Sequence, residues 1–204
     1  MNPAWIPFVV LLAAAPFWES KTPAQWSDAE IRLLLSESPW AHPALSPGTA
    51  SPTGPVQVRL STAEPIHQAE QELERRAKLK RPKTAELTEA DALAEEYREW
   101  FDANRSTHIV LSIYVTDTVA FSEEKDVRRM EDACVMRVGR KKIPMTGHFP
   151  PTPGDPYLRL AFPREVQLND KKMSFELYVP GVSIPYRTVE FSLPEMVAAG
   201  KLEL

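Results

Sequence analysis

The sequence predicts an α+β fold: a mostly antiparallel sheet with an αα-hairpin on one face and a Trp-rich N-terminal arm. Three observations carry this. Two amphipathic helical stretches follow one another between Ser61 and Phe101. The hydrophobic period then changes from about 3.6 residues to about 2, first in Ile109-Val110-Leu111-Ser112-Ile113-Tyr114-Val115. The rest of the chain is a series of short alternating segments joined by turn residues, the pattern of antiparallel hairpins.

The elements follow in order. Ser27-Asp28-Ala29-Glu30 is a capping box, in which each end residue bonds the backbone N–H of the other. Ile31, Leu34 and Leu35 then share a helical face, and Pro39 stops the helix, because the residue before a proline avoids the α region. Residues 43–55, rich in Pro, Ser, Thr and Gly, read as a linker, which makes the preceding helix a detachable arm. Val56 to Leu60 alternates as a strand. In the next helix Ile66, Ala69, Leu73 and Ala77 form the apolar stripe, with Glu70, Glu72, Glu74, Arg75, Arg76 and Lys78 on the solvent side, and Pro82 ends it. The second helix, residues 86–103, carries Leu87, Ala90, Leu93, Ala94, Tyr97, Trp100 and Phe101 on one stripe.

The Ile109 strand is apolar on both faces and therefore central. A short helix is expected over 123–132, and a hairpin turns at Gly139-Arg140-Lys141. Residues 147–156 read as a proline-stiffened loop. Leu158, Leu160 and Phe162 face one side of a strand, and Met173, Phe175, Leu177 and Val179 one side of the next. Ile184 to Phe191 is the last long strand, followed by a helical turn at Leu193 and a terminal strand from Gly200. The division is thus 1–15 leader, 16–42 helical arm, 43–55 linker and 56–204 α+β domain.

Composition excludes several classes of function. The net charge of −4 offers no basic face for nucleic acid. The single cysteine, Cys134, cannot form an internal disulfide, and its apolar neighbours mark it as a small buried hydrophobe. With 20 prolines and 7 glycines the chain has stiff turns and no Gly-rich phosphate loop. No G-x-S-x-G, H-E-x-x-H or C-x-x-C is present, and His42, His67, His108 and His148 stand far apart, so no metal or cofactor is expected.

Three groups of residues have two readings each. Glu64, Glu70, Glu72 and Glu74, with Glu95, Glu96 and Glu99, are either paired carboxylates for acid/base work or solvated helix faces. Arg140, Lys141 and Lys142, near Arg128, Arg129 and Arg137, are either an anion-contacting hairpin tip or a charged turn that prevents edge pairing. Trp18, Trp26 and Trp40 either form a partner-binding surface or dock the arm onto the sheet.

Ala4 to Ala15 is an uncharged apolar run closed by small residues, and it predicts an export signal cleaved after Ala14 or slightly upstream; the alternative readings are an uncleaved membrane-associated N-terminus and a buried first element of a cytosolic domain. The run is shorter than the about 20 residues of a membrane span, so the mature chain is expected to have no transmembrane helix. This leader, the Trp26…Glu30…Leu34 stretch running into Ser38-Pro39-Trp40-Ala41, and the tail from Phe191-Ser192-Leu193-Pro194-Glu195-Met196 to Gly200-Lys201-Leu202-Glu203-Leu204 resemble a family of uncharacterised exported bacterial proteins. The resemblance implies export and homology along the chain, and adds no catalytic residue. The resulting expectation is a non-enzymatic binding or interaction module of the periplasm or cell envelope, with a protein or envelope component as partner. Its rival is an exported hydrolase whose site assembles from distant residues such as His67, His108 or His148.

Overall fold

The computed structural model describes residues 15–47, 56–80, 89–152, 154–167 and 169–204. The expected leader, most of the linker and the first residues of the second core helix lie outside the described residues. After a short turn α1 (Phe17–Ser20) comes α2 (Asp28–Glu37). Its capping box forms as expected: Glu30 N donates to Ser27 Oγ at 3.2 Å and Ser27 N to Glu30 Oε2 at 2.7 Å. Strand β1 (Ala41–Ala44) then pairs antiparallel with β2 (Val56–Leu60), so the first residues assigned to the linker are strand. Helices α3 (Glu64–Lys80) and α4 (Glu89–Asn104) run antiparallel. Their contacts reverse along the two chains: Glu74 with Arg98, His67 stacked on Phe101, and Glu64 with Arg105.

The rest is mostly strand: β3 (His108–Tyr114), helix α5 (Glu124–Ala133), β4 (Val135–Val138), β5 (Lys141–Pro144), β6 (Gly147–Phe149), β7 (Tyr157–Pro163), β8 (Lys172–Tyr178), β9 (Tyr186–Ser192), and a small closing hairpin β10 (Val197–Ala198) with β11 (Lys201–Leu202). The α+β class is therefore what the structure has, but the single sheet resolves into two. One has the order β1-β2-β3-β7-β6 and the other β5-β4-β8-β9, with every pair antiparallel. Part of the expected 147–156 loop is strand β6.

The sheets are joined at both edges. Just past β1, Leu45 N donates to Thr188 O at 2.9 Å and Thr188 N to Leu45 O at 2.8 Å, tying the first sheet to β9. At the other edge one stretch supplies β5 to the second sheet and β6 to the first, with Thr146 N bonding Ala161 O at 2.9 Å. The result is a flattened antiparallel barrel whose corners are strands that change sheets. Its interior is filled by the apolar alternates: Val58 and Leu60, Ile109, Leu111 and Ile113, Leu158, Leu160 and Phe162, and Met173, Phe175 and Leu177. Phe162, Phe175 and Phe191 stack edge to face across it at 5.2 and 5.9 Å.

Helix α2 adds Ile31, Leu34 and Leu35 to this core, and Trp26 and Trp40 complete it. The Trp40 ring is 1 % exposed and its Nε1 donates to Glu203 O at 3.0 Å. The segment between α2 and β1 and the final residues therefore meet at one indole. Trp40→Ala is expected to cost about 3–5 kcal/mol, as large aromatic truncations in cores do, and Trp40→Phe about 1 kcal/mol for the lost hydrogen bond. Urea unfolding of the three proteins measures both.

A candidate binding groove between the hairpin and the sheet

The first sheet has two unlike faces. Along β2, β3 and β7 the residues alternating with the core set point away from the barrel and under the α3–α4 hairpin: Arg59, then Val110 and Ser112, then Arg159 and Ala161. The hairpin covers this face, so Arg59 and Ser112 are buried at 8 % and 1 % exposure. Buried charge needs partners, and α3 supplies one. Arg59 Nε donates to Glu70 Oε1 at 2.6 Å, and Ser61 Oγ donates to the same oxygen at 2.9 Å. Ser61 and Ser112 share a 2.6 Å hydrogen bond. Burial by itself lowers the pKa of Arg59, but its interactions with Glu70 and Tyr157 together outweigh that and hold the guanidinium charged.

Beside this pair lies a ladder of cations and rings. Arg59 sits over the Tyr157 ring at 4.1 Å, and Arg159 over the Tyr97 ring at 4.1 Å and within 5.9 Å of Tyr157. Arg159 Nη1 is 2.7 Å from Asp155 Oδ2, four residues back in the chain. Burial raises the pKa of the Tyr97 phenol, so it stays protonated. Tyr97 Oη and Arg159 Nε are both buried, and neither has a hydrogen-bond partner among the described residues.

The ladder ends in a groove of about 270 Å³ between α4 and the β6–β7 edge. Leu93, Ala94, Glu96 and Tyr97 line one wall, and His148, Phe149, Pro150 and Thr152 the other, with Asp155 and Arg159 at the base. Tyr97 and Phe149 meet edge to face at 5.1 Å, and Trp100 adds a third ring 5.2 Å from Phe149. The alternation of β2 and β7 marks Arg59 and Arg159 as off the core face. It does not say that a hairpin folds over them, which is why sequence reasoning missed them.

The residues singled out in the sequence fall elsewhere. Trp26 and Trp40 are 2 % and 1 % exposed and Trp18 is half-buried, 5.8 Å from Trp40. Trp26 and Trp40 therefore offer no surface: both indoles are buried in one core cluster with Ile31, Leu34 and Leu35 of α2. The arm that carries them is part of the core and not detachable. Arg140, Lys141 and Lys142 are exposed at the β4–β5 turn, as a hairpin tip should be. Of the three, Lys141 is paired with Glu165, and of the nearby arginines Arg137 is paired with Glu176 and Arg128 with Glu124. Arg129 lies over the Tyr178 ring at 5.1 Å.

Of the helix acids, Glu95, Glu96 and Glu99 are exposed, as a solvated face should be, and Glu64 and Glu74 are 42 % and 40 % exposed; Glu72 departs from that reading. Glu72 is 5 % exposed and is held by Arg75 and Arg76 at 2.7 Å each. Arg76 also reaches Asp28 and the carbonyl of Trp26, which locks α3 to α2. The expected apolar stripe is buried only at Ile66 and Ala69; Leu73 is 41 % exposed. The histidines occupy separate surroundings. His67 stacks on Phe101 with its pKa lowered by burial, and His108 lies against Trp100. His148 Nδ1 is 3.5 Å from Glu131. Among the described residues no cluster of His, Cys, Asp or Glu could hold a metal ion, and no helix is long and apolar enough to cross a membrane. No protein-family model, curated protein or solved structure matches this chain.

Two predictions follow from the paired charges. Glu70→Met strands a buried guanidinium and is expected to cost about 3 kcal/mol, whereas Arg59→Met with Glu70→Met together recovers most of that loss; a double-mutant cycle in urea reads both. Arg75 first, with Arg76, pulls the Glu72 carboxyl from 4.5 down to about 2. A lowered folded pKa stabilises above the unfolded value and loses that contribution as pH falls through the folded one. Glu72→Gln should therefore be less stable than the parent at neutral pH. The gap should close between pH 4.5 and about 2, as followed by unfolding midpoints across that range.

Proposed function

We propose that the chain is an exported, non-enzymatic binding module of the cell envelope, and that the groove between α4 and β6–β7 is its ligand-facing surface. One observation carries the binding reading. The groove sets aromatic walls, Tyr97 and Phe149, beside a half-buried ion pair, Arg159–Asp155, on a scaffold whose core is closed. Small-ligand sites have this make-up, an apolar enclosure with a few placed polar groups. The state of the carboxylates supports a role other than acid/base chemistry. A general acid needs a pKa near its working pH. Glu72 is instead held at about 2; burial raises Glu64, but hydrogen bonds from Arg105 and Gln68 outweigh it and hold that carboxyl below the usual carboxylate range.

Export rests on the apolar leader and on the resemblance to exported bacterial proteins. The packing is compatible with cleavage at Ala14. Among the described residues Phe17 is the first side chain packed on the core, 5.8 Å from Trp26, and Trp18 follows against Trp40. A cut before Ala15 leaves all of these rings in place. Expression with the native N-terminus in a bacterial host, followed by fractionation and intact mass, tests this half of the proposal. The expected result is a chain short by about fourteen residues in the exported fraction. Full-length protein in the cytosol would overturn it.

A further inference from the structure

We infer that the groove takes one neutral sugar ring, such as a hexose unit of an envelope glycan. This rests on the binding reading above and names the ligand class for the same surface. Charge is the first argument. At the base Arg159 and Asp155 stand 2.7 Å apart, 14 % and 26 % exposed, and Glu96 lies on the rim. An entering cation meets Arg159, and an entering anion meets Asp155 and Glu96, so neither sign gains what a matched site would give it. A neutral ligand with both donors and acceptors opposes none of them.

The inventory of polar groups is the second argument. Arg159 donates and the two carboxylates accept. The Thr152 hydroxyl accepts from Asp155 N at 3.1 Å and keeps its own proton to donate. Hydroxyl groups alone among common uncharged ligand groups both donate and accept at every position, and a sugar ring carries several. The third argument is shape. Phe149, half-buried on the groove wall, supplies ring surface against which the C–H face of a pyranose lies, beside the Tyr97 ring that Arg159 covers. The volume of about 270 Å³ is just below the roughly 300–1,000 Å³ of sites for drug-sized ligands. That suits a single ring and excludes a folded peptide.

The test is a heteronuclear NMR titration of the whole mature protein with methyl glucoside, N-acetylglucosamine, acetate and propylammonium. One or both sugars should shift the amides of Leu93, Thr152 and Asp155. Ala94→Trp, which fills the groove and leaves the ion pairs intact, should abolish the shifts. Thr152→Val should weaken binding by roughly tenfold; an unchanged amide spectrum elsewhere shows that each variant folds. If acetate or propylammonium moves these amides and neither sugar does, the ligand class is wrong while the groove stands as a binding surface. If none of the four does, both the sugar inference and the groove reading fail.

Discussion

Closure of the barrel is the constraint on which the rest depends. A twisted open sheet leaves two edges with unpaired N–H and C=O groups, and a protein must protect them. Here both are removed by strands that change sheets. One is the 141–149 stretch, and the other is β1 with its extension to Leu45. The second belongs to the N-terminal segment. The helix and tryptophans before it are therefore held where the barrel needs sealing, and Trp40 is fastened to the carbonyl of Glu203 at the far end of the chain.

Closure also decides what the outside of the first sheet must be. Its inner face is committed to the core, so its outer face alone receives the α3–α4 hairpin. Much of that outer face is polar, and burying it works only because the charges come in matched sets. Arg59 has Glu70, and Arg159 has Asp155. Tyrosine rings fill the space between the guanidiniums. At the edge of the hairpin this dense arrangement opens, and the last ring and the last ion pair of the ladder become the walls and base of a groove. The groove is a consequence of how the hairpin ends over β6 and β7.

Local structure was legible from the residues. The Ser27–Glu30 box, the two-faced burial of Ile109 to Ile113, and the inward set Met173, Phe175 and Leu177 follow from capping chemistry and periodicity, and all three are found. What depends on distant parts of the chain was not legible. Pro43 and Ala44 lie in a Pro-rich stretch that reads as linker, yet they pair with Gln57 and Val56. Glu72 lies on a helix face that reads as solvated, until α2 packs beside it. Arg59 and Arg159 sit on the polar alternates of amphipathic strands. Only the hairpin turns those positions into a buried network: it follows Arg59 directly in the chain, but four strands separate it from Arg159. The groove residues Tyr97, Phe149 and Asp155 have no common local signature, since three separate elements bring them together.

The central claim is that the N-terminal segment is part of the closed barrel and not an arm resting on it. Native-state hydrogen exchange of the Leu45 and Thr188 amides tests this most directly, because those two N–H groups make the bonds that join the sheets. The account predicts that both exchange only through global unfolding, with the same free energy as the Leu111 amide in the middle of β3. Exchange of Leu45 and Thr188 through a low-energy local opening, while Leu111 remains protected, would contradict it.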